Sequence, residues 1–64
     1  MNEIVKQYEE IGMVAKQMQK QGILCEANLI VLAMKLDREF QRPKHEWTTT
    51  PWEVFYAFLE DISR

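Results

Sequence analysis

NLIVLAMKLDREFQ, residues 28–41, is the stretch that decides the fold. Leu29, Ile30, Val31, Leu32, Ala33 and Met34 are apolar without a break. Wound into a helix, six consecutive apolar residues point in every direction around the axis. From Lys35 onward the pattern narrows to Leu36 and Phe40, with Lys35, Asp37, Arg38 and Glu39 between them. The expectation is a helix covered on all sides at one end and on one side at the other. In 64 residues the cover must come from almost everything else in the chain.

That length holds one domain, near the lower limit for folding alone, because a short chain buries a smaller share of its surface. Small domains often rely on a staple. A single cysteine, Cys25, cannot supply an internal disulfide. The apolar fraction of 47% is ordinary for a globular chain and argues against disorder. The net charge of −2, from ten acidic and eight basic residues, gives no broad attraction to nucleic acid or to an anionic membrane. The N-terminal MNEIVKQ lacks the basic-then-apolar order of a secretion signal. No apolar stretch approaches the ~20 residues of a membrane span. A reducing, cytoplasmic setting is therefore expected.

Working outward, Ile4, Tyr8, Ile11, Ala15 and Met18 recur at helical spacing and predict a first helix over 3–21. Val5 and Val14 widen its apolar stripe. Gly12 inside it reads either as a tolerated weak spot or as a notch for a close backbone neighbour. Gly22 reads as a left-handed cap, with Ile23 and Leu24 folding back as apolar contacts. The next helix is expected over 26–41, stopping before Pro43. A short turn makes the two helices an antiparallel hairpin. Residues 42–49 read as a polar connection carrying Trp47. Thr50-Pro51-Trp52-Glu53 then marks a helix start: N-cap, proline at the first position, and a glutamate placed to complete a capping box. Phe55, Phe58, Leu59 and Ile62 form the stripe of this third helix, 51–62, and Trp52 and Tyr56 adjoin it. The fold class expected is all-α, three helices in a single domain.

Chemistry-bearing groups are sparse. A metal site needs several Cys, His or carboxylate ligands at workable spacing. His45 and Cys25 are solitary, so no metal or other cofactor is expected. Cys25 as a nucleophile would want His45 beside it as a base; a small buried cysteine near a helix start is the plainer reading. Glu9/Glu10 and Glu60/Asp61 read as solvated helix faces. A helix-turn-helix is suggested by the length and turn glycine of MQKQGILCEANLIVL, but its second helix would offer Leu29, Ile30, Val31 and Leu32 where polar side chains must meet DNA. The basic patch Arg38, Arg42, Lys44 and His45 mostly complements a helix C-terminus, so nucleic acid ranks low as a partner.

Residues 9–40 resemble the sporulation-regulating aspartyl-phosphate phosphatases, short antiparallel helical hairpins of spore-forming bacteria. The likeness lies in the order of an amphipathic helix, Gly22-Ile23 at the turn, and a second helix with Leu36-Asp37. The family signature Ser-Gln-Glu-Leu-Asp falls on Ala33, Met34, Lys35, Leu36 and Asp37, where the Leu-Asp pair matches. The resemblance implies binding to a phosphorylated response regulator, with Asp37 helping water attack the acyl phosphate. Ala33 and Met34 supply no polar groups to orient such a carboxylate, which fits a binding-only relative better.

The negative census for catalysis, together with surplus aromatic residues, points to a small regulator or inhibitor, bacterial or phage-encoded, that binds another protein. Trp47, Trp52, Phe55 and Tyr56 are the residues expected at that surface. A two-fold homodimer is the alternative way to cover the same surplus. A DNA-binding module ranks third, behind the protein-binding regulator and the phosphatase-like one.

Overall fold

The computed structural model describes residues 3–64. It is all-α: α1 (Glu3–Lys20), α2 (Glu26–Phe40), a single 3-10 turn (Lys44–Glu46) and α3 (Pro51–Ile62). Helices one and two end a residue sooner than their sequence patterns suggest, within the fraying expected at helix ends. No helix among the described residues is long and apolar enough to cross a membrane.

The caps explain where each helix stops. Gly22 has φ +80°, the left-handed conformation that spares glycine a Cβ clash. It allows Gly22 N–H to donate to Gln19 O at 3.0 Å and Ile23 N–H to Met18 O at 2.9 Å, which satisfies two of α1's last carbonyls. Leu24 then turns into the core, whereas Ile23 stays exposed. Asn28 Oδ1 accepts from the Cys25 amide at 2.9 Å and from the Cys25 thiol at 3.0 Å, fixing the start of α2. Cys25 is exposed, not buried, because this bond holds it at the tip of the hairpin. At α3, Thr50 Oγ1 accepts from Glu53 N–H as expected, at 3.3 Å. The expected capping box is not completed. The Glu53 carboxylate instead accepts from the Thr49 hydroxyl at 2.8 Å, one residue before the cap.

The core consists of Ile11 and Ala15 from α1, Leu24 from the turn, Leu32 and Leu36 from α2, and Phe55 and Phe58 from α3. Helix α3 packs against both other helices, and their backbones approach it more closely than they approach each other. Tyr8, early in α1, meets Phe40, late in α2, edge to face at 5.9 Å. Its hydroxyl donates to Leu36 O at 3.3 Å. The hairpin is therefore antiparallel, but it is held open against α3.

This arrangement corrects the expectation for 28–41. Only Leu32 in the apolar run is buried. Ile30 is 56%, Val31 43% and Met34 65% exposed, and Ala33 is exposed as well. The molecule measures 36 × 26 × 15 Å, so it is only two helix layers thick. A helix in a two-layer slab gains neighbours on one side and faces solvent on the other. The organising element is accordingly α3, where Pro51, Phe55 and Phe58 are all buried. Gly12 is not a notch for another backbone of this chain, since an added Cβ would meet nothing within 4 Å.

Candidate protein-binding surface

The four aromatic residues expected at a binding surface separate into three environments. Trp47 follows the 3-10 turn and packs edge-on against Phe40 at 5.2 Å. Its indole N–H donates to Arg42 O at 2.8 Å. It extends the Tyr8–Phe40 contact into a row of three rings and pins the connection down. The short turn and this anchoring role were not readable from a polar, proline-containing segment. Phe55 is 1% exposed and lies at the centre of the core. It must be withdrawn from the contact surface, because α1 and α2 both close over its face of α3.

Trp52 and Tyr56 remain. Trp52 is half-buried and meets Phe55 edge to face at 5.8 Å. Tyr56, one turn on, is 59% exposed and tilts 30° to the Trp52 ring at 5.8 Å. The pair belongs to a helix with a side-chain N-cap at Thr50 and is backed by a fully buried ring, Phe55. Little conformational entropy would be lost on contact, since the backbone is fixed and each ring has only two torsions. Trp52 also forms one wall of a surface notch with Glu3, Lys6, Gln7 and Glu10 of α1. Only the pairing of α1 with α3 brings these residues together, so no local sequence pattern could have announced the site.

A second surface lies between α1 and α2. Tyr8, Ile11, Gly12, Ala15, Leu29, Leu32, Ala33 and Leu36 line an apolar groove of about 200 Å³, with Lys16 at its rim. The space is left because Gly12, Ala15 and Ala33 have small side chains or none. Ile30, Val31 and Met34 lie exposed beyond it on α2, and Met13 on α1. The exposed apolar residues are thus concentrated on the hairpin side of the slab, where the sequence run had suggested full cover.

Asp37 is exposed on α2. Burial, and then the negative charge of Asp37, push the Tyr8 hydroxyl above the usual tyrosine range. The hydroxyl is nevertheless committed to Leu36 O, so it does not orient the carboxylate. Lys35, next to the Leu-Asp pair, reaches Asp61 at 4.0 Å across the surface. Both side chains are substantially exposed, and such a pair contributes little. Among the described residues no three His, Cys, Asp or Glu side chains gather where they could hold a metal ion. Comparison with protein-family models, with curated proteins and with solved structures finds no match to this chain.

Proposed function

We propose that this chain acts by binding another protein through the aromatic edge of α3, as a small regulator or inhibitor. The observation that carries the reading is the Trp52–Tyr56 pair. Two large rings stand together at the surface of a capped helix, and one of them is more than half exposed. Aromatic residues held rigidly in this way are the usual energetic centres of protein interfaces. The test is affinity capture with the wild-type chain and with Tyr56→Ala, which leaves the core untouched. A partner retained by the first and lost by the second supports the reading. Identical captured proteins would refute it.

A second reading takes Asp37 as the working residue of a phosphatase-like regulator. Its support is that the Asp37 side chain is exposed on the hairpin and has no ion-pair partner among the described residues. Release of phosphate from phosphorylated response regulators, abolished by Asp37→Ala, would favour it. The α1–α2 groove supports a third possibility for assembly, a second copy of this chain packed on the hairpin face. Light scattering decides it. A dimer should weigh twice the 7.7 kDa of the chain, and a monomer mass would leave the groove to other partners.

A further inference from the structure

We infer that the groove between α1 and α2 is closed by the same face of a second copy of this chain, with the two α1 helices antiparallel and Gly12 at the two-fold axis. This takes up the second-copy arrangement raised above and gives it an orientation. The aromatic edge of α3 stays outside the contact. The first observation is the glycine. Gly12 lies in the interior of α1, where glycine is a poor helix former. An added Cβ would meet nothing within 4 Å, so nothing in the chain itself requires glycine there. Gly12 is exposed and lines the groove together with Ala15 and Ala33. Without a side chain it lets a second helix approach that wall closely.

The second observation is charge, and it sets the orientation. Two α1 helices packed antiparallel about Gly12 bring each residue after it over one before it. Lys16, one turn after Gly12 at the groove rim, comes over Glu9 of the second copy, one turn before. Helical periodicity puts Glu9 and Lys16 within about 20° of each other around the axis, so both stand on the same flank. The two-fold makes the pair twice. Both side chains are exposed, and neither is in an ion pair among the described residues. The other two-fold packing of a hairpin, α1 over the second copy's α2, fails the same test. Tyr8 donates to Leu36 O, so their neighbours Glu9 and Asp37 lie level with each other. That packing would set these two carboxylates face to face, again twice.

The third consideration is area. Helices of 18 and 15 residues, each about 10 Å across, present side by side a face about 25 Å long and about 20 Å wide. That is about 500 Å² on each copy and about 1,000 Å² for the pair, the lower bound for a specific interface. The groove walls are apolar, and Val5 and Ile30 at its borders are exposed. A contact of this size is weak, so the dimer forms at roughly 100 µM. At the low micromolar concentrations of an optical melt the monomer dominates.

The test is sedimentation equilibrium of the whole chain from about 10 µM to about 1 mM. The mass should rise from 7.7 kDa toward twice that value. Lys16→Glu and Glu9→Lys, both at exposed positions, should each weaken the dimer about ten-fold, because each turns two attractions into two repulsions. Mixed in equal amounts, the two variants should regain the wild-type mass, since their charges are complementary across the two-fold. Gly12→Gln should raise the melting temperature of the monomer and yet weaken the dimer at least about ten-fold. A monomer mass for the wild type up to about 1 mM overturns the proposal and leaves the groove to a foreign apolar segment. A dimer indifferent to both charge variants, a mixture no heavier than its components, or a dimer strengthened by Glu9→Lys overturns the antiparallel orientation. Tyr56→Ala should dimerise as the wild type does; a monomer in that variant would move the contact to α3 and overturn the hairpin face. Capture of a partner through Tyr56 stands or falls independently of these results.

Discussion

Replacing Phe55 by alanine should remove a large share of this protein's stability. Phe55 is 1% exposed, and its ring meets Trp52 and Tyr56 as well as the aliphatic core. Truncating a fully buried phenylalanine costs about 3–5 kcal/mol, from lost transfer energy and from the cavity left behind. At about 0.05–0.15 kcal/mol per residue, a 64-residue domain has about 3–10 kcal/mol in total. The perturbation is therefore between about a third of the total and all of it. Urea titration followed by circular dichroism should give a shifted midpoint with an unchanged slope, or no folded baseline at all. Phe55→Leu keeps part of the volume and should fall between wild type and alanine. The companion variant is Ile30→Ala, in the run that looks most buried by sequence. Ile30 is 56% exposed, so its loss should stay within about 0.5 kcal/mol. Equal losses for Phe55→Ala and Ile30→Ala would refute a core centred on α3, and would place the hairpin face inside an interface.

The remaining predictions concern the helix ends and the one perturbed hydroxyl. Gly22→Ala should destabilise by about 1–2 kcal/mol, because φ +80° is costly for any residue with a Cβ; Gly12→Ala, with open space around it, should instead stabilise by up to about 1 kcal/mol. Thermal melts of the two variants check the opposite signs. Thr50→Ala removes the bond to Glu53 N–H and should cost about 1 kcal/mol, with amide exchange quickening mainly in residues 51–54. Tyr8 is held above the ordinary tyrosine value of 10.0, so the fold favours its neutral form. That contribution is fully present below the unfolded value and is lost as pH rises through the raised folded value. Urea midpoints measured across this alkaline window should fall in wild type and fall less in Tyr8→Phe. At neutral pH the same variant should lose about 0.5–1.5 kcal/mol with its bond to Leu36 O.

Much of the fold is legible in the sequence because its punctuation is local. Gly22 needs only its own φ, and Thr50-Pro51 needs only the next turn of helix. The stripe Ile4, Tyr8, Ile11, Ala15, Met18 locates the buried side of α1 for the same reason, since 3.6-residue periodicity is a property of one helix. What failed was the step from apolarity to burial. Leu29 to Met34 looks like a covered run, but cover depends on how many layers the chain can afford. A slab 15 Å thick supplies one neighbouring layer. Conversely, Phe55 looked like part of an aromatic surface, and only the convergence of α1 and α2 on α3 puts it inside. Cys25 and Asn28 illustrate a third case. Neither residue alone predicts an exposed thiol, but their shared hydrogen bonds keep the cysteine at the hairpin tip.

The candidate site was half legible. Trp52 and Tyr56 stood out by residue type, four positions apart on a helix with a clear start. Their neighbours Gln7 and Glu10 did not, because they occupy the side of α1 that reads as a solvated polar face. Only the docking of α3 turns that face into a wall. Trp47 is the same residue type as Trp52, yet its ring and its N–H are both engaged within the chain. An aromatic count cannot separate a ring that pins a connection from one that waits for a partner.

The most direct test of the account places a photoreactive group where contact is expected. Position 56 would carry p-benzoylphenylalanine in place of Tyr56, and exposed position 41, in place of Gln41, would serve as the control. The chain would be irradiated in the cells that express it, and adducts would be resolved by mass. The account predicts a discrete adduct with another protein from position 56 and none from position 41. No adduct at position 56, or the same adducts from both positions, would contradict the claim that the aromatic edge of α3 binds a protein.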